Sequence, residues 1–292
     1  MLSVYLMASL LTAIPTQLDD SLWHDIEMLS SPAFSGRRIG HNEMAIEYIA
    51  HRYSQIGLAP INSNNYLKAF EFRGKAGANI VGEIRGKKKP EQYFVLTAHF
   101  DHLGGSLHDY FPGADDNASG VAVMLALADY FVIHAPDYSI LFVATDGEES
   151  GLYGSYAFLQ NSPIPVEKIK LNINLDMLGE PERGCRLAVF HRLLGKEQQQ
   201  VIEQYVQPQT ECALRVQGRM FRTQQGQQFD WLRASDHYPF YRQNIPVIFF
   251  GGSAHERYHT PRDNAANLSR TFVMNSAELV LQIIQRLDQL PD

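Results

Sequence analysis

Apolar and polar positions alternate along this chain with two different periods. Over residues 41–58, Met44, Tyr48, Ile49 and Ile56 recur at helical spacing and Gly57 stands where the turns should stop, which predicts an amphipathic surface helix. Short β-rich runs follow at 79–84 and 93–99, then a helix over about 118–133 that begins in Asn117-Ala118-Ser119-Gly120. The alternation continues with strand 139–145, helix 153–160, strand 169–176, helix 197–206, strand 246–250 and a last helix over 270–287. Strands that alternate with helices predict an α/β fold, a three-layer α/β/α sandwich around a mostly parallel, mixed central sheet covered on both faces. No repeat and no long Pro/Gly/Ser linker interrupts the chain, so residues 20–292 are expected to form a single domain.

Ahead of that domain, residues 1–14 read as a possible signal peptide: Met1–Ala13 is an apolar stretch that ends in small residues, like the core of a secretory signal before its cleavage site, although it lacks the usual Lys or Arg. The expectation is a periplasmic or secreted protein, or a cytoplasmic one if that segment is instead a buried first helix. No other run reaches the roughly 18 apolar residues of a membrane span, so no stable membrane insertion is expected after signal removal. Cys185 and Cys212 fit either one disulfide or two buried thiols. The net charge of −7, with no basic cluster longer than Lys87-Lys88-Lys89 between Gly86 and Pro90, argues against a nucleic-acid partner. Apolar residues at 45% and charged residues at 20% exclude a disordered chain.

The candidate chemistry collects at strand ends. His99 closes one predicted strand, Glu148 and Glu149 follow another, Asp176 ends a third, His259 follows the last, and Asp115-Asp116 precede a helix. In parallel sheets the crevice outside the strands' carboxyl ends is where ligands bind. Singly, each residue has an ordinary structural explanation as a cap or a solvated charge. Together they would crowd like charges in a cleft, a conflict that a divalent cation relieves. Imidazoles and carboxylates without sulfur suit zinc, or less readily manganese or cobalt.

The segments "HFDHLG", "GADDNASG", "DGEESGLYGS", "NLDMLG", "SDHYPF" and "YHTPRD", in this order, resemble the M28 family of zinc metallopeptidases, the di-zinc aminopeptidases. The likeness runs from about Leu29 to Asn267. It implies the zinc-dependent exopeptidase fold, a peptide substrate, and two Zn2+ ions per chain held by His99, Asp115, Glu149, Asp176 and His259. In this likeness Asp115 bridges the metals, Glu149 and His259 serve one of them, and His99 and Asp176 the other. Glu148 falls on the general base that takes a proton from the attacking water, and Asp101 on the carboxylate that accepts the other N–H of His99. Asp236 and Asp263 are expected to support the site. His102 and His237 are expected to make structural hydrogen bonds. Met177, Phe240 and Tyr258 are candidates to line the pocket for the substrate's first side chain, or to pack in the core.

Rival readings remain within and beyond this fold. Glutaminyl cyclases resemble the family but hold one zinc, and their version of "SDHYPF" opens with a second aspartate where this chain has Ser235. A carboxypeptidase would need a basic pocket, for which Arg222, Arg233 and Arg242 are candidates. A non-catalytic binding module would have lost ligands that this chain retains.

Overall fold

The computed structural model describes residues 16–291 except 62–63, 182–183, 208–211, 223–227 and 253. The proposed signal segment, 1–14, lies outside them. Nine strands form the central sheet: β1 (Ala59–Pro60), β2 (Leu67–Phe72), β3 (Lys75–Ile84), β4 (Lys89–His99), β5 (Tyr138–Thr145), β6 (Ile169–Asp176), β7 (Arg186–Arg192), β8 (Ala213–Val216) and β9 (Val247–Gly251). Their spatial order is β1-β3-β5-β4-β6-β9-β7-β8, with β2 paired to β3. The core pairs β5/β4, β4/β6 and β6/β9 are parallel, whereas β3/β5 and β9/β7 are antiparallel, giving the expected mixed sheet.

Helices cover both faces because inner strands such as β4 and β5 are apolar on both. In β4, Phe94, Leu96 and Ala98 pack into one core, while Tyr93 and Val95 pack into the other. On the first face lie α1 (Thr16–Leu29), α2 (Glu43–Ile56), α3 (Gly120–Ile133), α5 (Lys196–Gln204) and α7 (Arg270–Asp288), and on the second α4 (Tyr153–Gln160) and α6 (His237–Arg242). Gly57 ends α2 in the left-handed region at φ 91°, as its position predicts. α3 is apolar almost all round, since it is wedged between the sheet and helices α1, α2 and α7.

The predicted helices and strands are present with ends shifted by a few residues at most, apart from wider starts at β3 and β4. Unpredicted elements include the edge strands β1, β2 and β8, strand β7, and helices α1 and α6. β7 lies between β9, to which it is antiparallel, and β8, to which it is parallel, an arrangement that local periodicity cannot reveal.

Cys185 and Cys212 form a disulfide at the start of the β7/β8 pair, where the Ala213 N–H also donates to the Cys185 carbonyl (3.1 Å). The bridge ties residues 27 apart, which corresponds to about 3.5 kcal/mol of loop-closure entropy removed from the unfolded chain. The Cys185→Ala/Cys212→Ala double variant should therefore lose about 3 kcal/mol in urea unfolding. A loss below about 1 kcal/mol would show that the bridge does not hold β8 in place.

Register places the chemistry. β4 pairs with β5 so that His99 lies beside Thr145, and β6 pairs with β9 so that Asp176 lies beside Gly251. The connection after β4 runs to α3 on one face and that after β5 to α4 on the other, so the loops diverge and open a crevice between them.

Candidate metal centre

His99, at the last position of β4, is buried, and its Nδ1–H donates to the Asp101 backbone carbonyl at 3.1 Å. That bond leaves the Nε2 lone pair facing Asp116 Oδ1 at 3.2 Å and Asp176 Oδ1 at 3.3 Å. The other oxygen of Asp116, Oδ2, faces His259 Nε2 at 3.1 Å, and His259 Nε2 lies 3.3 Å from Glu149 Oε2. One carboxylate thus stands between two imidazoles, each also beside a second carboxylate.

That central carboxylate is Asp116, which corrects the assignment of the bridging role to Asp115. Asp115 is turned away and fully engaged: its Oδ1 accepts the Gly179 N–H (2.6 Å) and the Ser119 hydroxyl (3.3 Å), and its Oδ2 lies 3.0 Å from His255 Nε2. Glu180 and Arg257 continue this charge-compensated chain beyond His255. The two neighbours diverge because the backbone leaves helical geometry at Asp116 (φ −107°, ψ 88°). Asp263 fixes the turn, accepting the Asp115 N–H at 2.8 Å and the Asp116 N–H at 3.1 Å, and so has the supporting role expected of it.

Asp101 also differs in detail from expectation. Its backbone carbonyl is closer to His99 Nδ1 than its carboxylate, which is 3.7 Å away. The Asp101 carboxylate instead accepts the Glu148 N–H (3.0 Å) and so anchors the loop that carries Glu148 and Glu149. Asp236 accepts the Thr145 hydroxyl beneath that loop. His237 is structural, its Nε2–H donating to the Trp231 carbonyl (2.8 Å) and its ring stacked on Phe249. His102 is not: neither ring nitrogen has a hydrogen-bond partner, although Nδ1 lies 2.8 Å from Glu149 Oε1.

Of the pocket candidates, Tyr258 stacks on His259 with ring centroids 3.7 Å apart and belongs to the wall of the site. Met177 follows Asp176 directly, is buried beside Gly252, and takes φ 63°. Phe240 is a core residue, wholly buried against Phe158 beneath the sheet, so it lines no pocket. His259 itself has φ 56°, a region that costs a non-glycine residue about 1 kcal/mol or more and persists where the surroundings impose it. Arg233 and Arg242 are exposed, each within reach of Tyr238, and the Arg222 side chain lies outside the described residues.

The electrostatics are those of a nest for cations. Burial raises the Glu148 carboxyl well above the ordinary carboxylate range, with His99 opposing and Asp176 and Asp236 adding to the rise. Burial also works to raise Glu149, but the His102 and His259 imidazoles outweigh it and leave this carboxyl below its usual range. For His259 burial works downward, yet Asp116 and Glu149 lift it to about 10. Adjacent carboxyls pushed in opposite directions are suited to different tasks, one to accept a proton and one to stay ionised.

These residues fit zinc. Zinc–ligand bonds of about 2.0–2.2 Å put tetrahedral donor atoms roughly 3.3 Å apart, and the contacts of Asp116 with His99 and His259 are 3.2 and 3.1 Å. The Asp116 Oδ2, Glu149 Oε1 and His259 Nε2 atoms are buried without hydrogen-bond partners, as atoms that face a cation would be. Two donor groups converge on shared Asp116: His99 and Asp176 on one side, and Glu149, His259 and His102 on the other.

Behind the site stands Arg37, which the sequence left unassigned. It is wholly buried and donates to the carbonyls of Leu29, Phe100, Pro112 and Gly113, joining the end of α1, the loop after β4 and the loop before Asp115. Burial lowers its pKa to about 10, with Asp263 and Asp116 opposing, so it keeps its charge at neutral pH.

Gly251 sets the spacing between β6 and β9. A Cβ at this position would lie 1.8 Å from the Asp176 carbonyl oxygen, so Gly251→Ala must push the end of β6 aside. Turnover should fall about 10²-fold, as expected when a reacting group is misplaced by about 1 Å. Unchanged kcat in a folded Gly251→Ala variant would show that the Asp176 position tolerates such a shift.

A peptidase M28 model matches residues 79–284, and the chain belongs to this family. Aminopeptidase YwaD of Bacillus subtilis is 31% identical over 225 residues, covering 73% of this chain and 45% of YwaD. The chain spans less than half the length of the curated relatives it matches. Among solved structures, the Legionella pneumophila LapA aminopeptidase superposes with a TM-score of 0.74 at 18% identity, covering 94% of this chain and 73% of LapA. Porphyromonas gingivalis glutaminyl cyclase superposes with a TM-score of 0.67 at 20% identity, covering 91% of this chain and 97% of the cyclase. At these identities the two structures speak to the fold.

Proposed function

We propose that this chain is a di-zinc exopeptidase that removes N-terminal residues from short peptides. The observation that carries the reading is Asp116, whose two oxygens face different imidazoles, His99 and His259, each beside a further carboxylate. His99, Asp116 and Asp176 would hold one ion, and Asp116, Glu149 and His259 the other. Bound zinc lowers the pKa of water towards ~7 and polarises a scissile carbonyl.

The remaining work falls to side chains. Glu148 is held by the bond from its own N–H to Asp101, burial raises its carboxyl, and it belongs to neither set of donors, so it is suited to take a proton from water and return it to the departing amine. Asp101, through its backbone carbonyl, fixes the His99 tautomer. Tyr258 packs on His259 and Met177 lies next to Asp176, where both would face the first substrate residue. The Cys185–Cys212 disulfide supports an oxidising compartment, periplasmic or secreted, with residues 1–14 as the export signal and 20–292 as one catalytic domain.

The test is metal analysis of the purified protein together with a panel of aminoacyl chromogenic substrates, with and without chelator. The proposal expects close to two zinc ions per chain and release of unblocked N-terminal residues that stops on chelation and returns with zinc. One ion with cyclisation of N-terminal glutamine would make it a cyclase instead, the outcome that Ser235 disfavours. Cleavage from the carboxyl end alone would make it a carboxypeptidase.

A further inference from the structure

We propose that His102 is an additional metal ligand, acting through Nδ1, which makes the two ion sites unequal: the one formed by His102, Asp116, Glu149 and His259 fills first and holds its ion more tightly. The inference rests on the zinc reading above and extends it to a residue outside the five-ligand set.

The surroundings of His102 are unlike those of the other buried histidines. His99 and His237 each give a ring N–H to a backbone carbonyl, the usual way an imidazole is satisfied in an interior. The His102 side chain is completely shielded from solvent, and neither of its ring nitrogens has a hydrogen-bond partner. Nδ1 lies 2.8 Å from Glu149 Oε1 and 3.6 Å from Asp116 Oδ2, and these two oxygens also lack hydrogen-bond partners. The 2.8 Å approach is therefore close without the alignment of a hydrogen bond.

The chain also makes room for this ring. A Cβ at Gly113 would lie 2.6 Å from it, so the glycine next to the Asp115-Asp116 turn is what allows the imidazole in. The His102 N–H donates to the Arg37 carbonyl (3.2 Å), which ties its backbone to the residue that organises the loops. The His102 and His259 rings meet edge to face, with centroids 5.6 Å apart.

The two donor sets then differ in kind. His99, Asp116 and Asp176 supply one nitrogen and two carboxylates, whereas His102, Asp116, Glu149 and His259 supply two nitrogens and two carboxylates. Four protein donors match the tetrahedral preference of zinc, and imidazole nitrogen is among its favoured ligands. The three-donor side keeps an open position, as catalytic zinc sites do.

The experiment is calorimetry of the metal-free protein with Zn2+, alongside absorption spectra taken as one and then two equivalents of Co2+ are added. Wild-type protein should bind two ions in steps whose affinities differ at least tenfold. In His102→Ala the tighter step should weaken at least tenfold, and the visible bands of the first Co2+ equivalent should change in intensity or position. Circular dichroism establishes that the variant is folded, and the wild-type isotherm stands independently of it. Two equal steps in wild type, or an unchanged isotherm and Co2+ spectrum in His102→Ala, would overturn the assignment. Failure of wild-type protein to bind either metal would instead overturn the zinc reading on which the assignment rests.

Discussion

Glu148→Gln is expected to lower kcat on an aminoacyl chromogenic substrate by about 10³-fold while two zinc ions stay bound. Gln occupies the same space and keeps the backbone N–H that donates to Asp101, so the loop and its neighbour Glu149 stay where they are. What is lost is the ability to accept a proton. The effect should appear in kcat more than in KM, because the missing interaction belongs to the reaction step rather than to substrate capture. The measurement pairs steady-state kinetics with metal content by mass spectrometry. A fully metallated variant with near-normal kcat would remove Glu148 from the proton-transfer role.

Arg37→Met should destabilise the fold by about 3–5 kcal/mol, the range seen when one partner of a buried charged network is removed. Four carbonyl oxygens lose their donor at once, and nearby Asp263, Asp116, Asp101 and Glu149 lose a compensating cation. Arg37→Lys should recover less than half of the loss, because an ammonium cannot reproduce the planar fork that reaches carbonyls in three segments. Urea unfolding of the zinc-free proteins isolates the effect from metal linkage. If Arg37→Met cost less than about 1 kcal/mol, the account of Arg37 as the clasp joining α1, the His99 loop and the Asp115-Asp116 turn would fail.

Much of this molecule was legible in the sequence, for reasons that particular residues make plain. The strand 139–145 is an apolar run of strand length, 169–176 alternates apolar and polar positions with period two, and 153–160 and 270–287 carry helical spacing, so local patterning suffices there. The convergence of His99, Glu149, Asp176 and His259 follows from their shared place at or after strand ends. The choice between Asp115 and Asp116 does not, because adjacent side chains diverge by an amount that depends on local backbone angles. The ordinary fate of a histidine is a structural hydrogen bond, which His237 makes and His102 does not; both are buried, and only the groups that the fold brings to each ring separate the two. Arg37 stands in "SGRRIG" beside an exposed Arg38, and nothing local tells which of the two turns inward. Strand β7 is hidden for a further reason: its antiparallel partner β9 lies more than fifty residues downstream.

The central claim is that Asp116 lies between two metal ions. Crystals of the zinc-loaded protein, measured on both sides of the zinc absorption edge, test it directly. Two anomalous peaks about 3.5–4 Å apart, one on each side of the Asp116 carboxylate, are the predicted result. A single peak, or a peak held by Asp115, Glu180 and His255 with none at Asp116, would contradict it.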